Sequence, residues 1–314
     1  MDLAAGVDFG GSSVKVGLVD RQGGIHARET IGIDPRAPFD DILTPVQAGL
    51  HRLVAGPGGA HRLAAVGICT PGFIDTATGT IMGGCENLPL LRGRSMPDFF
   101  SKAMGVPGFA DNDGTVAAAG ELLFGAGRSL RNFVMITLGT GIGGGLVLDG
   151  KVFRGARGFA AEIGHLCVDP HGVWCNCGSR GCLEQYASGP AMVRLYTEKL
   201  LKRGGEKPVK PVTPRDIVDR AVAGEALARD TIEDAAGFLA QAFGTILNLL
   251  NLEACIVGGG ISMAGDVVLE PIRRRLADHC WPLVGEGVRV IAAELSNDAG
   301  VLGAAAQAFE RLER

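Results

Sequence analysis

The chain has 314 residues, 20% of them charged and 46% hydrophobic, with a formal net charge of −4. At roughly 150 residues per domain that length predicts two domains or one large one, with core enough to need no covalent staples. The acidic balance excludes a non-specific nucleic-acid binder and a membrane-surface protein, which need a basic face, and 49 aperiodic glycines against 15 prolines exclude collagen and low-complexity disorder.

Leu3 to Phe9 reads as an apolar strand. Val14, Val16 and Leu18 alternate with Ser13, Lys15 and Gly17, the period of a second strand. Ile25 to Ile31 is a third, after the turn at Gly23 and Gly24. Thr44, Pro45 and Gln47 read as a cap, a first-turn proline and a capping-box partner. The helix they start carries Val46, Leu50, Leu53 and Val54 on one face. Leu63 to Cys69 is a strand ending at Thr70-Pro71-Gly72, and Thr115 to Phe124 a short helix closed near Gly125. Phe133 to Leu138 and Gly144 to Leu148 are strands around a Gly-rich turn. Thr213-Pro214 with Asp216 starts a helix, Glu225 to Asn251 is the longest helical stretch, and Ala254 to Val257 is a strand. Val288 to Ala293 is the last strand and Ala299 to Leu312 the closing helix. Strands alternating with helices predict an α/β protein.

The N-terminus lacks the basic start, apolar core and cleavage site of a secretory signal. The longest uncharged apolar stretch, Asn132 to Leu148, carries five glycines and falls short of the ~20 residues of a membrane helix. A soluble, cytoplasmic protein is expected, with no membrane and no nucleic-acid partner. In a reducing compartment the eight cysteines should not pair, so the tight cluster of Cys175, Cys177 and Cys182 reads as metal or reactive thiol. With His165 these thiols make the closed tetrahedral donor set that structural Zn²⁺ prefers. Cys167 lies outside the pattern, and Cys69, Cys85, Cys255 and Cys280 read as buried small residues.

Three glycine bursts stand at strand ends. In DFGGSSVKVGLVD, residues 8 to 20, Gly10 and Gly11 lie between two strands, so a P-loop or dinucleotide fingerprint fails on context. A tight hairpin remains, either structural or one whose backbone N–H groups, with Ser12, Ser13 and Lys15, face a phosphate while Asp8 holds Mg²⁺ through water. LGTGIGGG, residues 138 to 145, packs five glycines into seven positions, more than a plain hairpin needs. IVGGGIS, residues 256 to 262, follows a strand and precedes a helix, which suits close approach of a flat ring or phosphate. Three such loops in one acidic chain point to a nucleotide.

These segments make the chain resemble the ROK family (repressor, open reading frame, kinase), and most of all its ATP-dependent glucokinases. The likeness also takes in GICTPGFID, ENLPL, DND followed by AAAGE, EIGH, CNCGSRGCLE and DAGVLGAA, so it runs nearly end to end. It implies a two-domain α/β protein of the actin/hexokinase-like (ribonuclease H-like) fold with an interdomain cleft. The division expected is 1–111 for a small N-terminal domain, completed by a C-terminal helix at about 298–314, and 112–297 for a large domain with the zinc loop. The resemblance implies that Asp8, Gly10, Gly11, Ser12 and Lys15, with Gly139, Thr140 and Gly141, cradle the triphosphate of Mg²⁺-ATP. It implies that Gly258, Gly259 and Gly260 flank adenosine, and that His165, Cys175, Cys177 and Cys182 hold zinc.

A kinase acting on a hydroxyl needs a carboxylate within reach of the attacking oxygen. Asp111 and Asp113 are the candidates, and Asp113 also reads as a helix N-cap. The resemblance puts the general base at Asp113 and a sugar contact at Asn112. It departs from the family at Gly114 and Thr115, where Ala and Asn are usual, which bears on the helix start. Glu162, His165 and Glu184 match the family's sugar-binding positions, with Gly72 and Asn87 lining the same pocket. His165 would serve twice, one ring nitrogen on zinc and the other on a sugar hydroxyl.

The activity implied is phosphorylation of a hexose at its 6-hydroxyl, glucose foremost. The alternatives are an N-acetylglucosamine or N-acetylmannosamine kinase, a fructokinase, and a non-catalytic sugar sensor. Polyphosphate-using relatives tend to lack the zinc motif, so ATP is the expected donor. The family's repressors carry a helix-turn-helix before the kinase-like part, and with the phosphate motif starting at Asp8 none is expected here. Family habit implies a homodimer or homotetramer.

Overall fold

In a computed structural model describing residues 1–56, 61–85, 88–206 and 210–313, the first three strand signals become an antiparallel meander. It consists of β1 (Asp2–Phe9), β2 (Ser13–Val19) and β3 (Ile25–Gly32). Helix α1 (Phe39–Ala55) leads to β4 (Arg62–Thr70), which pairs parallel with β1. A hairpin of β5 (Phe73–Asp75) and β6 (Thr80–Gly83) follows, then α2 (Met96–Met104) and β7 (Gly108–Asn112), parallel to β4. The first sheet runs β3-β2-β1-β4-β7, and α3 (Asp113–Phe124) leaves its last strand.

The second sheet begins with β8 (Phe133–Leu138), β9 (Ile142–Leu148) and β10 (Lys151–Val152). Four helices follow: α4 (Glu184–Ala187), α5 (Gly189–Lys202), α6 (Pro214–Val222) and α7 (Ala226–Leu250). Then come β11 (Ala254–Gly258), α8 (Asp266–Leu276), α9 (Pro282–Gly285), β12 (Arg289–Ala292) and α10 (Ala299–Leu312). The order is β10-β9-β8-β11-β12, with β11 parallel to both neighbours. This is the α/β class and the actin/hexokinase-like arrangement expected. Among the described residues no helix is long and apolar enough to cross a membrane.

The chain forms two compact units, one of Met1–Ser129, Gly145–Ala161 and Asn297–Arg314, the other of Leu130–Gly144 and Glu162–Ser296. By compactness the first unit takes in residues 112–129 and 145–161, which the sequence division assigned to the second.

Three local expectations are corrected. Helix α1 starts at Phe39, so Pro45 lies inside it instead of in its first turn. An interior proline costs about 3 kcal/mol. Burying Phe39, Ile42 and Leu43 on the stripe that continues through Val46, Leu50 and Leu53 returns roughly 1.5–3 kcal/mol each, so packing outweighs the proline. Helix α3 is capped by Asn112, whose Oδ1 accepts from Gly114 N–H at 2.9 Å, and Asp113 is its first residue. Helix α3 thus starts two residues before the expected Thr115, and β9 starts at Ile142 instead of Gly144, so Gly143 to Gly145 lie in a strand; the remaining boundaries fall within a residue of their signals. Thr213 and Asp216 form a capping box at α6, and Asn251 closes α7 in the left-handed conformation at φ 48°.

A row of glycines seats the last helix. Gly17, Gly6 and Gly67 are register partners across β2, β1 and β4. A Cβ at Gly6 or Gly67 would overlap the carbonyl of Val301 or Ala304 on α10, and one at Gly17 would lie 2.7 Å from Val301 Cγ1. Gly303 gives α10 the same closeness to Val116 of α3. The C-terminal helix therefore lies directly on the first sheet, beside the strand ends that carry the site residues.

Candidate active site

In the first unit, Asp8 and Lys15 are cross-strand partners and so share one face of the sheet. Cys69, beside Asp8 on β4, hydrogen-bonds its carboxylate. Burial raises the Asp8 pKa above the usual carboxylate value, against the thiol and the Lys15 charge. Gly300, in the first turn of α10, is glycine for a reason: a Cβ there would overlap the Asp8 carboxyl. Lys15 Nζ donates to the Asn297 carbonyl at 3.1 Å. The hairpin turn is closed by Gly10 N–H on Ser13 O at 2.9 Å. Gly10, Gly11 and Ser12 are exposed, and nothing crowds Gly11.

At the end of β7 the two candidate carboxylates separate. Asp111 is wholly buried, with Oδ2 2.6 Å from Arg154 Nε and Oδ1 accepting its neighbour's Asn112 N–H. Arg154 reaches on to Glu310 at 3.2 Å, and Arg311 stands 3.9 Å from Asp111. Burial still holds the Asp111 pKa above its ordinary value. Asp111 is therefore committed to an internal ion cluster. Asp113 makes no ion pair among the described residues, and its surface is open to solvent. Protein mass around it raises its pKa, Gly114 N–H opposes, and the charge of Asp8 raises it further. The result is an accessible carboxylate of enhanced basicity. Asn112 Nδ2 donates to Gly72 O at 3.0 Å, and Gly72 holds φ 103°, a conformation that needs glycine. Gly114 sits in the first turn of α3, and Thr115 is buried. Asn87 lies outside the described residues.

In the second unit the glycines sort into two kinds. Gly139 and Gly260 have open space where a side chain would be. Gly141 does not: Glu184 Oε2 fills that place and accepts Ile142 N–H at 2.9 Å. Gly258 packs on Met135 and Gly259, at φ 86°, on the backbone of Leu138. The run leads into a 3₁₀ turn at Ser262–Ala264, and α8 starts only at Asp266, so no α-helix N-terminus follows directly as its sequence suggests. A cavity of about 880 Å³ opens beside Gly139, Thr140 and Gly260, walled by α5, α6 and Ile261 to Ala264.

Below these loops lies the cysteine cluster. His165, Cys175, Cys177 and Cys182 bring ligand atoms within 4.8 Å of one another. His165 Nδ1 is 3.6 Å from Cys175 Sγ, and Cys177 Sγ is 3.5 Å from Cys182 Sγ. Tetrahedral Zn–S bonds of ~2.3 Å require sulfurs about 3.8 Å apart, so the donors fit zinc. Burial and the neighbouring thiols push Cys182 up to about 12, whereas the Ser179 backbone N–H holds Cys177 below its usual value; a bound cation is what would draw Cys182 into the thiolate form. Cys167 is exposed and outside the cluster. The second nitrogen of His165, Nε2, lies 4.0 Å from Glu162 Oε2. Leu183 N–H on Leu166 O, 2.8 Å, ties the cluster's two arms and fixes the start of α4, where Glu184 stands.

The family model for the ROK family matches residues 4–311. The chain belongs to the ROK family. Its relatives include a glucokinase of Thermotoga maritima, 36% identical with 98% of this chain and 97% of that one covered. A ROK glucokinase from Streptomyces griseus, solved in complex with glucose and AMPPNP, is 34% identical, with TM-score 0.79 and 98% and 99% coverage. A xylose repressor of Bacillus spizizenii is 29% identical over 95% of this chain and 74% of its own length.

Of the residues predicted for this ROK chain, the first unit brings together Asp8, Asn112, Asp113 and Gly72 near the ends of β1, β4 and β7. The second brings together Glu162, His165, Glu184 and the 139–141 loop around the cysteine cluster. Three partners escaped the sequence reading: Arg154, Cys69 and the α6 wall of Pro214, Val218 and Val222. Only the last had a signal, an apolar i, i+4 spacing left unburied at Val222.

Proposed function

We propose that this ROK protein is an ATP-dependent hexose kinase that phosphorylates glucose at the 6-hydroxyl, with Asp113 as general base. The observation that carries the reading is the contrast at the end of β7: Asp111 is neutralised by Arg154, while Asp113 is accessible and unusually basic. Relatives named glucokinase, and a neighbour that holds glucose with an ATP analogue, support the substrate pair.

The 6-hydroxyl attacks the γ-phosphorus in line, and an Asp113 carboxylate oxygen takes its proton. The Asn112 amide is already anchored on Gly72 and presents its edge to the sugar. Glu162, His165 Nε2 and Glu184 accept or donate to the remaining hydroxyls. Because Nδ1 of His165 faces the thiols, a zinc ion held there would fix the tautomer that leaves Nε2 for this task. Backbone N–H groups of the 10–12 turn and of Gly139 and Thr140 offset phosphate charge, supplemented by Lys15. Mg²⁺ carried with ATP would be held through water by Asp8 and would neutralise the β- and γ-oxygens.

The test is ADP release with Mg²⁺-ATP across glucose, mannose, fructose, N-acetylglucosamine and N-acetylmannosamine, beside Asp113→Asn. Turnover on glucose lost in the variant is the expected result. Turnover confined to an N-acetyl sugar or fructose overturns the substrate and keeps the base. Sugar binding without turnover on any of them overturns the kinase reading.

A further inference from the structure

The 880 Å³ cavity of the second unit is within the size range of a site for a small ligand. It opens beside Gly139, Thr140 and Gly260, which places a nucleoside there whenever phosphates rest on the glycine loop. Its wall says how the base is read. Pro190, Val193, Pro214, Val218, Val222 and Ile261 are all apolar. Two are prolines, with no N–H to give. Of the polar side chains that line it, Thr140 belongs to the glycine loop at the phosphate end, and Thr213 is spent on the α6 capping box, donating to Asp216 Oδ2 at 2.7 Å and accepting from Asp216 N–H. Arg215 and Asp219 face each other at 3.6 Å with side chains 87% and 64% exposed, so they stand at the rim in water. Several backbone donors of the wall are engaged as well: Gly139 N–H on Gly141 O, Thr213 N–H on Asp216 Oδ2, and Ala264 N–H on Ile261 O.

We propose that this site selects its phosphoryl donor by the flat shape of a purine and not by the hydrogen-bonding edge, so that GTP and ITP serve beside ATP. The inference rests on the kinase reading above. Its magnitude follows from the chemistry of discrimination. A site that hydrogen-bonds a substrate group rejects the analogue lacking it by about 10⁴–10⁵, whereas an apolar pocket separates near-isosteres by only about 10–200-fold. With no side chain among the described residues committed to the base edge, the smaller factor applies.

The experiment measures kcat/KM for ATP, GTP, ITP and CTP with saturating glucose. GTP and ITP are expected within about 100-fold of ATP. An ATP preference over GTP of about 10³ or more overturns the proposal while leaving the kinase intact. No turnover with any donor fails the kinase reading itself, which keeps the two failures apart. Val218→Asp introduces a carboxylate able to accept from guanine N1–H and the 2-amino group together. It is expected to move the GTP/ATP ratio toward GTP by about tenfold or more, and an unmoved ratio overturns the placement of the base. Val218→Thr serves as the milder substitution if the acid unfolds α6, and is expected to shift the ratio in either direction. Arg215→Ala is expected to leave the ratio within about threefold, since exposed ion pairs contribute little; a larger change makes the rim a reader and overturns shape selection.

Discussion

Replacing Arg154 by Met exposes what holds the end of β7. The guanidinium stands 2.6 Å from a fully buried Asp111, with only 9% of its own side chain exposed. Deleting one partner of such a pair leaves a desolvated charge and costs about 3–5 kcal/mol. Arg311, at 3.9 Å, remains as a weaker counter-charge, so the lower end applies. At about 2–4 °C per kcal/mol for units of this size, Arg154→Met should melt roughly 10 °C below the parent. The pH dependence has a definite sign. Burial already holds the folded-state pKa of Asp111 above its unfolded value, and losing Arg154 raises it further. A carboxyl raised in this way contributes stability when protonated and loses it as pH rises through the folded pKa. The deficit of the variant should therefore narrow between about pH 7.5 and about pH 5. The double variant Asp111→Asn with Arg154→Met, which buries no charge, should recover at least half of the lost melting temperature. Thermal melts at the two pH values read all of this. A single variant within about 2 °C of the parent at neutral pH, or a deficit that widens on acidification, would refute the reasoning.

Other outcomes follow from the same geometry. The acid limb of kcat/KM should lie above the ordinary carboxylate range, because the protein mass around Asp113 and the Asp8 charge raise its pKa and only its ionised form takes the proton. Asp113→Asn should remove that limb together with about 10²–10⁴ of rate, seen in a pH–rate profile. Stripping metal with a chelator, or Cys182→Ser, should raise the glucose KM by about tenfold or more and the ATP KM less, since His165 and Glu184 flank the cluster. Elemental analysis should find zinc in the parent and none in the variant. Gly67→Ala should lose about 1–3 kcal/mol or more in denaturant melts, because its methyl overlaps the Ala304 carbonyl, whereas Gly11→Ala, in open space, should be near neutral for stability.

The elements most legible beforehand were those with local chemistry. The Thr213–Asp216 box, the Glu225–Asn251 span and the closing helix from Ala299 to Leu312 appear where their caps and periods put them. Local rules misled where distant packing competed with them. Pro45 looked like a helix start until Phe39, Ile42 and Leu43 found a core to enter. The glycines of the 138–145 and 256–262 runs looked alike, yet Gly141 yields to Glu184 and Gly259 to Leu138, while Gly139 and Gly260 face open space.

Taken alone, the amino-acid order determined the α/β class, the carboxylate pair at 111 and 113, and a donor set of one histidine and three cysteines within eighteen residues. Each depends on spacing along a short stretch, where backbone periodicity and ligand geometry act directly. Which carboxylate stays available was decided only by tertiary structure. Asp111 meets Arg154 across 43 residues, and Arg154 meets Glu310 across 156. The same holds for the seat of α10 on the glycine row and for the apolar wall that α6 lends to the cavity. Burial and charge pairing depend on distance in space, and a linear sequence carries distance only along the chain.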